Sequence, residues 1–158
     1  MTKPYELKNP IEVQNIVKKI TDSLGMPIDN KMIRPLVILN SLGFETSGSC
    51  EGHLDRYNTY PWIDIDFKNL GEGKKNNPQE ILFKSLYRDL EDFYSQRNTL
   101  HENKIVFRQI GANELTVRLA CNSNLNIYSQ TKEQKFQEQY QEISDFCEYL
   151  NLKYQLNF

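Results

Sequence analysis

The chain has 158 residues, 39% of them hydrophobic and 25% charged, with a formal net charge of −2. These values fit a single globular domain that can bury a core without staples, and they exclude a disordered chain or a coiled coil. The slight negative charge speaks against a broad phosphate-binding surface, and no apolar run approaches the length needed to span a bilayer.

Residues 1–8 are too polar for the core of a signal peptide. Cys50, Cys121 and Cys147 are odd in number and form no C-x-x-C pair, so free thiols are expected in place of a disulfide framework. Both observations predict a cytoplasmic protein.

Asn9 followed by Pro10 predicts a capped helix start. Val13, Ile16, Val17, Ile20 and Leu24 then recur at helical spacing up to Gly25, which predicts one amphipathic helix packed by that stripe. Asp29 is the next cap candidate, with Ile28 and Ile33 placed as a staple. Met32, Ile33, Leu36, Val37, Leu39 and Leu42 predict a largely buried helix ending at Gly43, with Pro35 marking its first true turn.

The chain then runs into Thr46-Ser47-Gly48-Ser49-Cys50-Glu51-Gly52-His53, which sets hydroxyls, a thiol, a carboxylate and an imidazole around two glycines. Backbone N–H groups in such a loop can converge on a phosphate, a carboxylate or a developing oxyanion. Cys50 and His53 suit a thiolate activated by imidazole or two ligands of one metal. Equally, Cys50 can be a small buried hydrophobe, His53 a turn cap and the hydroxyls local turn formers.

Residues 54–60 read as a loop. Trp62-Ile63-Asp64-Ile65-Asp66-Phe67 alternates as a strand, with Ile63, Ile65 and Phe67 on one face and Trp62, Asp64 and Asp66 on the other. Paired with a strand over Glu45–Ser49, it would bring Asp64 and Asp66 beside the motif, as a cation site, as an acid and base pair, or as a solvated outer face. Gly71 to Pro78 is a polar connection without the phosphate-loop pattern. Pro78 opens a helix with Leu82, Leu86, Leu90 (or Asp89 in ideal register) and Phe93 inward. Residues 104–110 and 114–120 predict a hairpin around Gly111-Ala112-Asn113, with Arg118 on the more polar face and Arg108 a candidate for the same face, either able to pair with Asp64 or Asp66 or to fork onto an anion. Cys121 follows the strand end, in reach of Cys50 if the motif joins the sheet. The last helix is predicted from about Thr131 to Leu150, with Phe136, Tyr140, Ile143, Cys147 and Leu150 inward.

Ile33-Arg34-Pro35-Leu36-Val37-Ile38-Leu39-Asn40-Ser41 followed by Thr46 to His53 resembles the start of the wybutosine-synthesis methyltransferase-like proteins, in which a helix ending in Ile-Asn-Ser leads to Thr-x-Ser-Ser-Cys-Ser-Gly-Arg. Thr46, Ser49, Cys50 and Gly52 match that motif, while Gly48, Glu51 and His53 stand where the family has Ser, Ser and Arg. The resemblance spans about twenty residues. It implies an α/β domain acting on a modified guanosine of transfer RNA, with S-adenosylmethionine as methyl donor.

The residues predict an α+β single domain of about four helices packed on one face of a four-stranded, mainly antiparallel sheet, with the motif on the opposite face or its rim. Three functions remain open. The first is a small enzyme with Cys50, His53, Glu51, Asp64 and Asp66 as candidate catalytic groups and Thr46, Ser47, Gly48, Ser49, Gly52, Arg118 and Trp62 binding a nucleotide, a modified RNA base or another small anion. RNA as a partner gains no support from net charge. The second is a metal site joining Cys50 and His53 to Cys121, His101 or an aspartate. The third is a non-catalytic interaction module using the loop with Tyr57, Tyr60 and Trp62. No membrane association is expected.

Overall fold

The computed structural model describes residues 5–21, 24–52, 60–68, 77–111, 115–122 and 132–158. In chain order these form α1 (Pro10–Val17), α2 (Asn30–Ser41), β1 (Glu45–Cys50), β2 (Trp62–Asp66), α3 (Pro78–Ser95), a 3-10 turn (His101–Asn103), β3 (Ile105–Ile110), β4 (Thr116–Cys121) and α4 (Lys132–Lys153). The four strands make one antiparallel sheet in the order β1-β2-β4-β3. This is the expected α+β arrangement. Among the described residues no helix is long and apolar enough to cross a membrane.

Two helix starts follow the sequence signals. The Asn9 and Asn77 side chains accept hydrogen bonds from the Ile11 and Gln79 amides at 2.9 and 3.0 Å, each ahead of a first-turn proline. The stripe predicted for α1, however, is only partly used. The helix ends at Val17, and only Val13 and Val17 are buried in it, whereas Ile16 and Leu24 are 64% and 86% exposed. Past the helix the chain doubles back, so that Thr21 bridges Pro27 across a reversal containing Gly25 at φ 79°. A continuous helix cannot make that reversal.

Helix α2 begins at Asn30 and runs through Pro35, contrary to the expectation that the proline marks its first turn. Proline lacks the N–H that would bond to the Lys31 carbonyl. That carbonyl accepts the Tyr140 hydroxyl of α4 at 2.8 Å instead, so no backbone group is left orphaned and the helix is stitched to its neighbour. At its other end Gly43 (φ 98°) closes the helix, with the Phe44 amide donating to the Leu39 carbonyl and the Gly43 amide to Asn40. This closure sends the chain directly into β1.

Alternation along the strands sorts the two sheet faces. Ile63, Ile65, Phe67, Val117 and Leu119 are fully buried, in one core with Leu36, Ile38 and Leu39 of α2 and Ile143, Phe146 and Leu150 of α4. The other face carries Trp62, Asp64, Asp66, Thr116 and Arg118. Away from the sheet, Asp89 of α3 is buried and accepts hydrogen bonds from Tyr5, Tyr154 and Lys153, which ties both chain ends to the helical layer.

Candidate functional site

The motif is an edge strand in place of a free loop. Through Cys50 it pairs with β2, with Gly48 opposite Asp64, Ser49 opposite Ile63 and Cys50 opposite Trp62. Ser47 is the extra residue of a bulge between Thr46 and Gly48, an irregularity that re-aims side chains at a sheet edge. Thr46 is fixed from behind, its hydroxyl accepting from the Asn40 side chain of α2 at 2.9 Å.

The expected nest of amides at the end of the motif is filled from within the protein. The Glu51 amide donates to Asp29 at 3.0 Å, and the Gly52 amide to the Cys50 sulfur at 3.3 Å. In return the Glu51 carboxylate accepts the Lys31 amide at 3.3 Å, serving as a cap for the exposed N–H groups of α2. Asp29 and Glu51 thus form a reciprocal clasp between the helix start and the end of β1. An anion or oxyanion site made of the Glu51 and Gly52 amides is therefore not available, and Glu51 has a capping role. Gly52 adopts φ 92°, a conformation that favours glycine. His53 and the residues through 59 lie outside the described residues, as do Tyr57, Gly71 to Asn76, and Ala112 to Glu114.

Gly48 is required for a different reason. A Cβ placed there would stand 3.3 Å from Cζ3 of Trp62, so the missing side chain is what lets the indole lie against β1. Arg118 stacks on that indole, its Cζ 4.2 Å from the ring centroid, and forks onto Asp64 at 2.8 and 3.0 Å. Hydrogen bonding to Asp64 raises the Arg118 guanidinium above its ordinary value against the opposing effect of burial, so it stays charged. Asp66 accepts the Thr116 hydroxyl at 2.8 Å. The two aspartates lie beside the motif as expected, yet each is engaged by its own β4 partner and they do not converge on a shared cation position.

Gly48→Val is expected to lower stability by about 1–3 kcal/mol, the usual cost of overpacking, and to move the emission of Trp62. Valine favours strands by at most about 1 kcal/mol, so the clash with the indole decides the sign. Urea denaturation with emission spectra checks both effects.

Around this edge lies a groove of about 570 Å³, within the range of small-molecule pockets. Its polar side is Thr46 to Cys50 with Trp62, and its apolar wall includes Ile20, Leu24, Met26 and Pro27. Of the wall residues, Ile20 and Leu24 belong to the stripe that the sequence predicts as core packing. Their one local sign was the Gly25-Met26-Pro27 break, which prevents that part of the stripe from continuing as a helix. Trp62 also borders a second cavity of about 180 Å³ with Tyr60, Arg108 and Arg118.

The other cysteines do not join Cys50. Cys121 points into the helical layer, 3.8 Å from the Gln139 carbonyl, and burial pushes its thiol up to about 12. Burial also raises Cys147. None of the three cysteines is in a disulfide. His101 pairs through Nε2 with Asn122 at 2.7 Å. Among the described residues no group of three or more His, Cys, Asp and Glu side chains is arranged to hold a metal ion.

Comparison with protein-family models, curated proteins and solved structures finds no match for the chain.

Proposed function

We propose that the protein binds, and acts on, a small anionic molecule with a planar or apolar body, held in the groove between the edge of β1 and the wall of Ile20, Leu24, Met26 and Pro27. A nucleotide or a modified RNA base is the ligand class this reading favours. The observation that carries it is the juxtaposition of an open strand edge, a supported indole and an apolar wall around one ligand-sized groove. Along Thr46–Ser49 the outward backbone N–H and C=O groups of the edge strand have no partner among the described residues. They can read the donor and acceptor pattern of a heterocycle, while Trp62 and the wall take its flat surfaces. Cys50 borders the groove as the group to test for chemistry. The motif's likeness to the methyltransferase-like proteins makes S-adenosylmethionine a ligand to test alongside nucleosides and nucleotides.

The test is thermal stability with each of these ligands, on wild type, Trp62→Ala and Cys50→Ala. A ligand at a hundredfold its Kd is expected to stabilise wild type by about 2.7 kcal/mol, and Trp62→Ala to lose most of that gain. Loss of turnover in Cys50→Ala with binding retained would assign the thiol to chemistry. If no ligand stabilises the wild type, the proposal fails. The exposed Ile16, Ile20, Leu24 and Met26 favour a second reading, a protein-interaction surface, which that outcome would leave in place.

A further inference from the structure

We propose that Arg108 and Arg118 form a phosphate subsite in the smaller cavity beside Trp62, which takes the charged end of a phosphate monoester. The inference rests on the reading above only for the body of the ligand. The subsite itself stands on separate observations.

Arg108 and Arg118 lie directly opposite each other across β3 and β4. Like charges in such a pair are destabilising, and among the described residues only one of the two is neutralised. Asp64 takes Nε and Nη2 of Arg118, whereas Arg108 gives Nη2 to a neutral acceptor, the Asn122 carbonyl, at 2.7 Å. Among the described residues no acidic side chain lines the cavity. In a protein of net charge −2 these described residues therefore hold a local surplus of one positive charge beside the candidate groove.

The donors are also prepared for an anion. Arg118 is held by Asp64 on one side and the indole on the other, so little further ordering is needed to present its free edge. Nη1 of both arginines and Nε of Arg108 have no hydrogen bond among the described residues. Planar guanidinium forks match phosphate oxygens in pairs. The cavity of about 180 Å³ is the share of roughly six waters at about 30 Å³ each, room for a tetrahedral oxyanion. From β1 to β4 is two strand spacings, roughly 9–10 Å, which is the scale of one nucleotide. One molecule can then lay its heterocycle on the β1 edge and its phosphate on the arginines, with Trp62 between.

Trp62 is the only tryptophan in the chain, so its fluorescence reports this site alone. The experiment titrates wild type, Arg108→Gln and Arg108→Lys with the four common ribonucleosides, their 5′-monophosphates, inorganic phosphate and a single-stranded RNA hexanucleotide. Arg108 is exposed, and circular dichroism verifies that the variants fold.

A monophosphate is expected to bind at least about tenfold tighter than its nucleoside. Arg108→Gln should erase that advantage, and Arg108→Lys should restore part of it. A hexanucleotide that outcompetes the monophosphates and depends on Arg108 would place the phosphate within RNA, which also supports the subsite. Equal affinity for nucleoside and monophosphate, or an advantage that survives Arg108→Gln, overturns it. Should no nucleoside bind while inorganic phosphate still perturbs Trp62 through Arg108, the subsite stands and the groove reading fails. Silence from both phosphate and the monophosphates overturns the subsite.

Discussion

Asp64→Asn is expected to lower stability by about 2 kcal/mol and at the same time to tighten the binding of inorganic phosphate. The two effects share one cause. Asp64 is only 8% exposed and gives both carboxylate oxygens to Arg118. Breaking a buried ion pair costs about 3–5 kcal/mol, and losing a hydrogen bond to a charged group about 1.5–3. The Arg118 side chain is 37% exposed, so water recovers part of its hydration and the lower figure applies. An amide can still accept one N–H but no longer cancels the charge. Arg108 and Arg118 would then face each other with no carboxylate on the β2 side of Arg118 to offset them. Removing a unit negative charge at this range is worth about 1 kcal/mol to an incoming anion, roughly fivefold in Kd. Urea melts and Trp62 titrations measure the two quantities on the same protein. Weaker phosphate binding in Asp64→Asn would mean that Asp64 acts mainly by positioning Arg118, and the charge argument for the subsite would be wrong.

The elements legible in the sequence were those fixed by local rules. Alternation in residues 62–67 assigns every side chain to its face, and Asn9-Pro10 and Pro78 mark helix starts because a cap or an imino acid acts within one turn; the Asn77 cap is visible only in the structure. The motif lies directly after the helix that Gly43 ends, and the sequence shows this because the glycine stop and the motif are only three residues apart. What local rules could not supply was the partner of each polar group. The sequence places Asp29 as an ordinary cap, but its oxygen turns to the Glu51 amide 22 residues away, which closes the amide nest that the two glycines imply. Pro35 looked like a helix start because nothing nearby showed that Tyr140 would satisfy the Lys31 carbonyl. The same limit applies to Ile20 and Leu24. Helical periodicity identifies a shared face, but only packing decides whether a face is covered, and here it borders the groove.

Asp89→Ala is expected to be the most damaging single substitution away from the site, costing about 3–4 kcal/mol, while leaving ligand binding intact at temperatures where the protein stays folded. Asp89 is 3% exposed and accepts from the Tyr5 hydroxyl at 2.8 Å, the Tyr154 hydroxyl at 2.6 Å and the Lys153 ammonium at 2.7 Å. Alanine leaves the buried Tyr5 hydroxyl without its acceptor, a cost of about 1–3 kcal/mol, and removes two further hydrogen bonds, one of them charged. Lys153 can keep its second partner, Asp92, at 3.3 Å, which keeps the total from rising higher. In a chain of this length the loss corresponds to a fall in Tm of roughly 6–16 °C. The cluster also contributes to the alkaline limit of the fold, alongside the half-buried Tyr94 and the buried Cys121 and Cys147. Burial, reinforced by Asp89, holds Tyr5 and Tyr154 above the ordinary tyrosine value of 10.0. Above that value the unfolded chain releases protons that the folded chain keeps, so the stability these two tyrosines contribute is fully present below about pH 10 and is lost as pH rises further. Tyr5→Phe removes one of these groups and should flatten the decline between pH 9 and 11, although it is less stable at neutral pH. Urea denaturation across that range, with Trp62 titrations at pH 7, separates scaffold from site. An Asp89→Ala protein within 1 kcal/mol of wild type, or a Tyr5→Phe protein with an unchanged alkaline slope, would contradict this account of how the chain ends are anchored.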